Sequence, residues 1–161
     1  MMQAIRKRID DDKGFTLIEL MVVVLIIAIL IAIAIPTFLG LRQRAQNRAA
    51  QSDVRNGLVA AKAWYTDGNT YELFTEAEGT TIEPSLPWLN GASTPAGQTL
   101  DSAVSADFNV VAFARMSASG SCFTLTDVAT GIDAGTYRNA GDDANCVADG
   151  ALVDTDSDGS W

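Results

Sequence analysis

Few residues in this chain can do chemistry. There is no histidine among its 161 residues, no Gly-x-Ser-x-Gly turn and no glycine-rich phosphate cradle, so the usual nucleophile–base arrangements have no material to work with. Three features remain. Glu19 is a lone carboxylate at the head of an apolar run. Cys122 and Cys146 are the two cysteines. Asp154, Asp156 and Asp158 alternate ahead of Gly159.

Each feature suggests its own chemistry. An unpaired carboxylate beside lipid is costly to bury, so Glu19 calls for a compensating partner. A cysteine pair with no histidine and a long separation fits a disulfide better than a metal site, and points to an oxidising compartment. Closing that loop contributes roughly 3–3.5 kcal/mol by the chain-entropy model. The Asp-x-Asp-x-Asp-Gly pattern matches the first half of a calcium loop. Its far carboxylate would fall beyond Trp161, so Ca2+ binding requires Asp142, Asp143 or Asp149 to fold back. Otherwise the tail is a solvated acidic segment.

The apolar run is the element that positions Glu19. From Leu20 to Leu41 no residue is charged, and the stretch is long enough to cross a ~30 Å hydrocarbon core as a helix. Arg6, Lys7, Arg8 and Lys13 precede it, which keeps the N-terminus cytoplasmic, although Arg42, Arg44 and Arg48 follow on the other side. Pro36 removes a backbone donor and is expected to kink or open the helix, with Gly40 and Gly57 making the region easier to deform. Beyond the run, apolar residues at Phe38, Leu41, Ala45, Ala49, Leu58, Ala61 and Tyr65 mark one helix face, with Asp53 off the stripe. Gly68 supplies a left-handed stop. A helix from Phe15 to Tyr65 would be about 77 Å long.

Residues 66–161 read as a small head. A long loop, with or without a short helix or strand, runs to Asp107, with Leu86 and Trp88 as its anchors. Strands follow at Phe108–Arg115 and Ser121–Asp127, joined by a Ser117–Gly120 hairpin loop, and a third is weakly marked around Thr136–Arg138. The formal charge is −9. Without residues 1–14, which hold four basic and three acidic groups, 7 basic and 17 acidic residues remain, or −10. Such a head is soluble and lacks the cationic surface that nucleic-acid binding needs.

Gly14-Phe15-Thr16-Leu17-Ile18-Glu19-Leu20, behind a basic leader and ahead of the charge-free span, resembles the class III signal of type IV pilins and pseudopilins. The resemblance implies an α+β, pilin-like fold: a long N-terminal helix with a hydrophobic protruding half and an amphipathic half packed on a small antiparallel sheet. It divides the chain into a cleaved leader (1–14), a membrane and filament-core helix (15–41), its amphipathic continuation (42–65) and the head (66–161), whose edge loop Cys122–Cys146 closes. It implies that a prepilin peptidase/methyltransferase cuts between Gly14 and Phe15 and methylates the Phe15 amine. Glu19 then pairs with the N-terminal amine of a neighbouring copy, and Pro36 sits at the family's helix break.

The function so implied is a non-enzymatic subunit, a single-pass inner-membrane protein before assembly. Pilus machinery then draws it into a homo-oligomeric surface filament serving adhesion, motility or DNA uptake. The alternatives are a type II secretion-like pseudopilin or minor pilin with a calcium-stabilised C-terminus, and a single-pass anchor bearing a binding head.

Overall fold

A computed structural model describes residues 14–89, 98–141 and 146–151. The chain divides into two compact units, residues 1–41 and 42–161, and one helix, α1 (Leu17–Gly68), contributes to both. In the first unit every described side chain from Gly14 to Leu39 is exposed. This part of α1 is long and apolar enough to cross a membrane, with a mean hydropathy of 3.3 over its most apolar window.

The second unit is an α+β head. After α1 come α2 (Glu76–Ile82), β1 (Leu100–Val104), β2 (Val110–Met116), β3 (Cys122–Val128), β4 (Gly135–Gly141) and the single turn α3 (Ala148–Ala151). The four strands form an antiparallel meander in the order β1-β2-β3-β4. Strand alternation sorts the side chains between two faces. Val111, Phe113 and Leu125, with Leu100, join the buried face of α1. Ala112, Ala114 and Cys122 face the other way, where Cys146, Ala148 and Ala151 cover them. The alanines on that second face leave room for α3 to lie close.

The helix face that packs is Ala50, Val54, Gly57, Leu58, Ala60 and Ala61. The expected stripe is correct at Leu58 and Ala61, but Ala45 and Ala49 are exposed and Ala50 takes the buried place. Alanine carries too little apolar surface to set the phase of a stripe by itself. Gly57 is not a soft point. A Cβ there would stand 2.9 Å from Leu100 Cδ2 and 3.0 Å from Phe113 Cδ1, so its bare backbone is what lets helix and sheet approach. Asp53 is not simply off the stripe either: it forms an ion pair with Arg115 of β2. Burial pushes the Arg115 guanidinium below its usual value, and the adjacent carboxylate supplies the countercharge.

The segment after α1 is better ordered than its composition suggests. α1 ends at Gly68, and Asn69 takes the left-handed conformation (φ 51°), with its N–H donating to Tyr65 O at 2.7 Å. Asn thus serves where glycine was expected, as it can at a helix C-terminus. Tyr71 and Phe74 are buried alongside Leu86 and Trp88. Phe74 lies 6.1–6.4 Å from Phe113, Trp88 and Trp64 in edge-on geometry, an arrangement that suits aromatic quadrupoles. Thr75 caps α2 by accepting from Ala77 N–H. Glu76 of α2 accepts from the backbone N–H and hydroxyl of Ser102 at 3.1 and 2.9 Å, fixing α2 to β1. The strand β1 lies within the long loop, where a short helix or strand is allowed but no position is indicated by the sequence. Its Leu-Asp-Ser-Ala-Val has neither β-branched density nor clean alternation, and pairing with β2 is what makes it a strand.

Buried carboxylates tie the head together. Asp127 of β3 accepts from Tyr71 Oη at 2.7 Å and Thr136 Oγ1 at 2.7 Å, and pairs with Lys62 Nζ of α1 at 3.0 Å. One side chain thereby joins the helix, the loop after it and β4. Asp101 of β1 accepts from Ala148 N–H at 2.8 Å, holding the start of α3.

Candidate functional site

The site begins where α1 begins. Gly14, Phe15 and Thr16 precede the helix in non-helical backbone and are exposed, Phe15 to 92%. The Gly14–Phe15 bond is thus exposed and outside the helix.

Thr16 is the N-cap of α1. Its hydroxyl oxygen accepts from Glu19 N–H at 3.3 Å. In return Glu19 Oε2 accepts from Thr16 N–H at 2.8 Å and from the Thr16 hydroxyl at 2.7 Å. This reciprocal pair is a capping box, which satisfies two of the donors a helix start leaves open. The carboxylate also lies at the positive end of the helix dipole, where an anion is favoured. Glu19 therefore has a neighbour in its own chain. Oε2 carries both bonds, and among the described residues no cation pairs with this carboxylate. The Thr16-x-x-Glu19 spacing is the sequence signal of this box.

Further along, Pro36 lies inside α1 without interrupting it. The helix continues through this position, so no local opening is present in the single copy. Helical runs on both sides outweigh one missing backbone bond, and Thr37 Oγ1 donates to Ile33 O at 3.2 Å within the same turn.

Cys122 and Cys146 form a disulfide with Cα atoms 5.6 Å apart. Both are buried on the sheet face away from α1. The bridge fixes the start of β3 to the segment entering α3, and Thr126 Oγ1 completes the attachment by donating to Ala151 O at 2.9 Å.

A profile described as the prokaryotic N-terminal methylation motif matches residues 10–35, the stretch that holds the exposed junction and the capped acid. The type IV wide pilus major component PilA4 of Thermus thermophilus is 37% identical over 99 residues, covering 62% of this chain and 69% of that protein. The chain belongs to the type IV pilin family. The type IV major pilin protein PilA of Myxococcus xanthus is 40% identical over 68 residues, 42% of this chain and 31% of its own length. The type II secretion system core protein G of Escherichia coli is 32% identical over 81 residues, 50% of this chain and 56% of that relative. No solved structure matches the chain.

In this pilin-family chain the described site residues do not converge on one pocket. Gly14, Phe15, Thr16 and Glu19 form a terminal cluster, and the cysteines form a separate fastening within the head. The Asp154, Asp156 and Asp158 pattern, with Asp142 and Asp143, lies outside the described residues, as does the leader before Gly14. Among the described residues no group of three or more potential metal-ligating side chains gathers.

Proposed function

We propose that this chain is a structural subunit that a prepilin peptidase cuts between Gly14 and Phe15 and that assembles into a type IV pilus filament. One observation carries the reading: an exposed Gly14–Phe15 bond stands directly before a capped Glu19 and a charge-free helix, within the stretch that matches the methylation motif. Cleavage leaves the apolar helix on the mature chain, with its new and methylated amine on Phe15. The capping box survives this step, since it uses the Thr16 amide and not the Phe15 nitrogen. Glu19 then accepts the Phe15 amine of a neighbouring copy, and this charge pair offsets the desolvation of both groups.

Membrane and filament are successive environments for the same helix. Its side chains already lie in lipid before assembly, so polymerisation gains little from hydrophobic transfer. Helix packing, the Glu19–amine pair and the assembly machinery supply the drive, and Pro36 offers a place where packed helices can loosen. The chain itself performs no chemistry in this scheme. Its finished location is the cell-surface pilus, with the head outside the cytoplasm.

Mass spectrometry of the mature N-terminus tests the reading. A chain that starts at methylated Phe15 is expected, and any other start overturns it. Glu19→Gln should be processed normally and fail to polymerise. The relative from a type II secretion system favours a second reading, a pseudopilin with a calcium-stabilised tail at Asp154, Asp156 and Asp158. A rise in the head's melting temperature with Ca2+, reversed by a chelator, supports that reading, and an unchanged value removes it.

A further inference from the structure

The two ends of the head carry opposite charge, and the acidic end is also apolar. Three segments gather at that end. Tyr71 N–H donates to Phe108 O at 3.1 Å, joining the chain after α1 to the β1–β2 turn. Asn109 accepts from Ala129 N–H through its backbone and from Thr130 N–H through its side chain, joining that turn to the β3–β4 turn. Each segment exposes one large apolar side chain: Leu73, Phe108 and Ile132, the last with no cover at all. Leu73 and Phe108 also sit at φ 61° and 57°, a left-handed conformation that strains bulky residues. Neither the strain nor the exposure helps an isolated head. Glu72 and Asp133 stand exposed in two of these segments and Asp67 in the last turn of α1, a turn that holds no basic residue.

At the opposite end, the described stretch of α1 is basic. Asn47 of α1 accepts from Ser117 and Ser119 in the β2–β3 turn, which places this stretch of helix at the far end of the sheet. Arg42, Arg44 and Arg48 flank it, all exposed, and among the described residues none has an ion pair. Arg44 and Arg48 share one helix face. From Arg44 to Asp67 the helix rises about 35 Å, several Debye lengths at physiological salt, so the two ends of one head cannot neutralise each other.

We infer that the acidic, apolar end of one copy docks on the Arg42–Arg48 stretch of a second copy. Leu73, Phe108 and Ile132 supply the packed centre, and Asp67, Glu72 and Asp133 pair with the arginines. Such a contact joins two different surfaces. It does not close into a dimer but adds copies in sequence. The inference rests on the filament reading and names the surface through which heads meet.

A photo-reactive residue at Ile132, and separately at Leu73, in filaments of the full chain tests the contact. The expected product joins that position to the segment around Arg42–Arg48 of another copy. Normal filaments that crosslink elsewhere, to another protein or not at all overturn this contact and leave the filament reading standing. A wild-type chain that forms no filament overturns both. In parallel, Asp67→Lys with Glu72→Lys should cut filament yield at least tenfold without changing the melting temperature. Adding Arg44→Glu and Arg48→Glu should restore the yield, and no recovery counts against the pairing.

Discussion

Tyr71 Oη donates to Asp127 Oδ2 at 2.7 Å in the buried interior of the head, across 56 residues of chain. Burial first, then the bond to Asp127, raises the phenol well above its ordinary value. The phenol is therefore neutral in the folded head at a pH where an unfolded chain would ionise it. A raised folded value stabilises fully below the unfolded pKa of about 10 and is lost as pH climbs past it. Wild-type stability should therefore fall above about pH 10 more steeply than that of Tyr71→Phe. At neutral pH the variant should be less stable by about 2 kcal/mol, since a hydrogen bond to a charged acceptor is removed. Thermal unfolding in micelles across pH 7–11 measures both effects.

Gly57→Ala sets helix propensity against packing. Alanine favours the helix by about 0.8–1 kcal/mol, yet its methyl would press on Leu100 and Phe113, both without exposed surface. Overpacking a closed core costs about 1–3 kcal/mol. Net destabilisation near 1 kcal/mol is expected, read as a lower melting temperature of the head. A more stable variant would show that the two side chains can move aside.

Replacing Cys122 and Cys146 together with serine should lower stability by about 3–3.5 kcal/mol, the chain-entropy value for this loop. The loss should appear first around α3, because the bridge and the Thr126–Ala151 bond hold that turn to the sheet. Hydrogen exchange at Ala148 and Ala151 locates it.

Thr16→Ala removes the capping hydroxyl and leaves Glu19 in place. Loss of an N-cap side chain costs about 1 kcal/mol, so the Glu19 amide should exchange roughly fivefold faster in micelles. Thr16→Ser keeps the hydroxyl and should exchange at the wild-type rate.

The helix, its apolar span and the later strands could be read from the sequence because each carries its own periodicity or composition. The Gly14–Phe15 junction and Glu19 stood out because a charge beside lipid is costly. The position of β1 was not legible, since Leu100–Val104 becomes a strand through its neighbour and not through its own residues. Asp127 escaped for a related reason. Its partners, Lys62, Tyr71 and Thr136, are scattered along the chain and meet only after folding. Gly57 was misread because a helical glycine looks like weakness until the opposing side chains are known.

The plain strand order has a consequence for biogenesis. Among the described strands β1–β4 every pairing joins consecutive strands, so each closes a short loop and little entropy is lost before contacts form. In the proposed membrane-anchored role the head can zip up hairpin by hairpin while its anchor stays in lipid. Oxidation of the thiols then locks an assembled sheet instead of having to guide it.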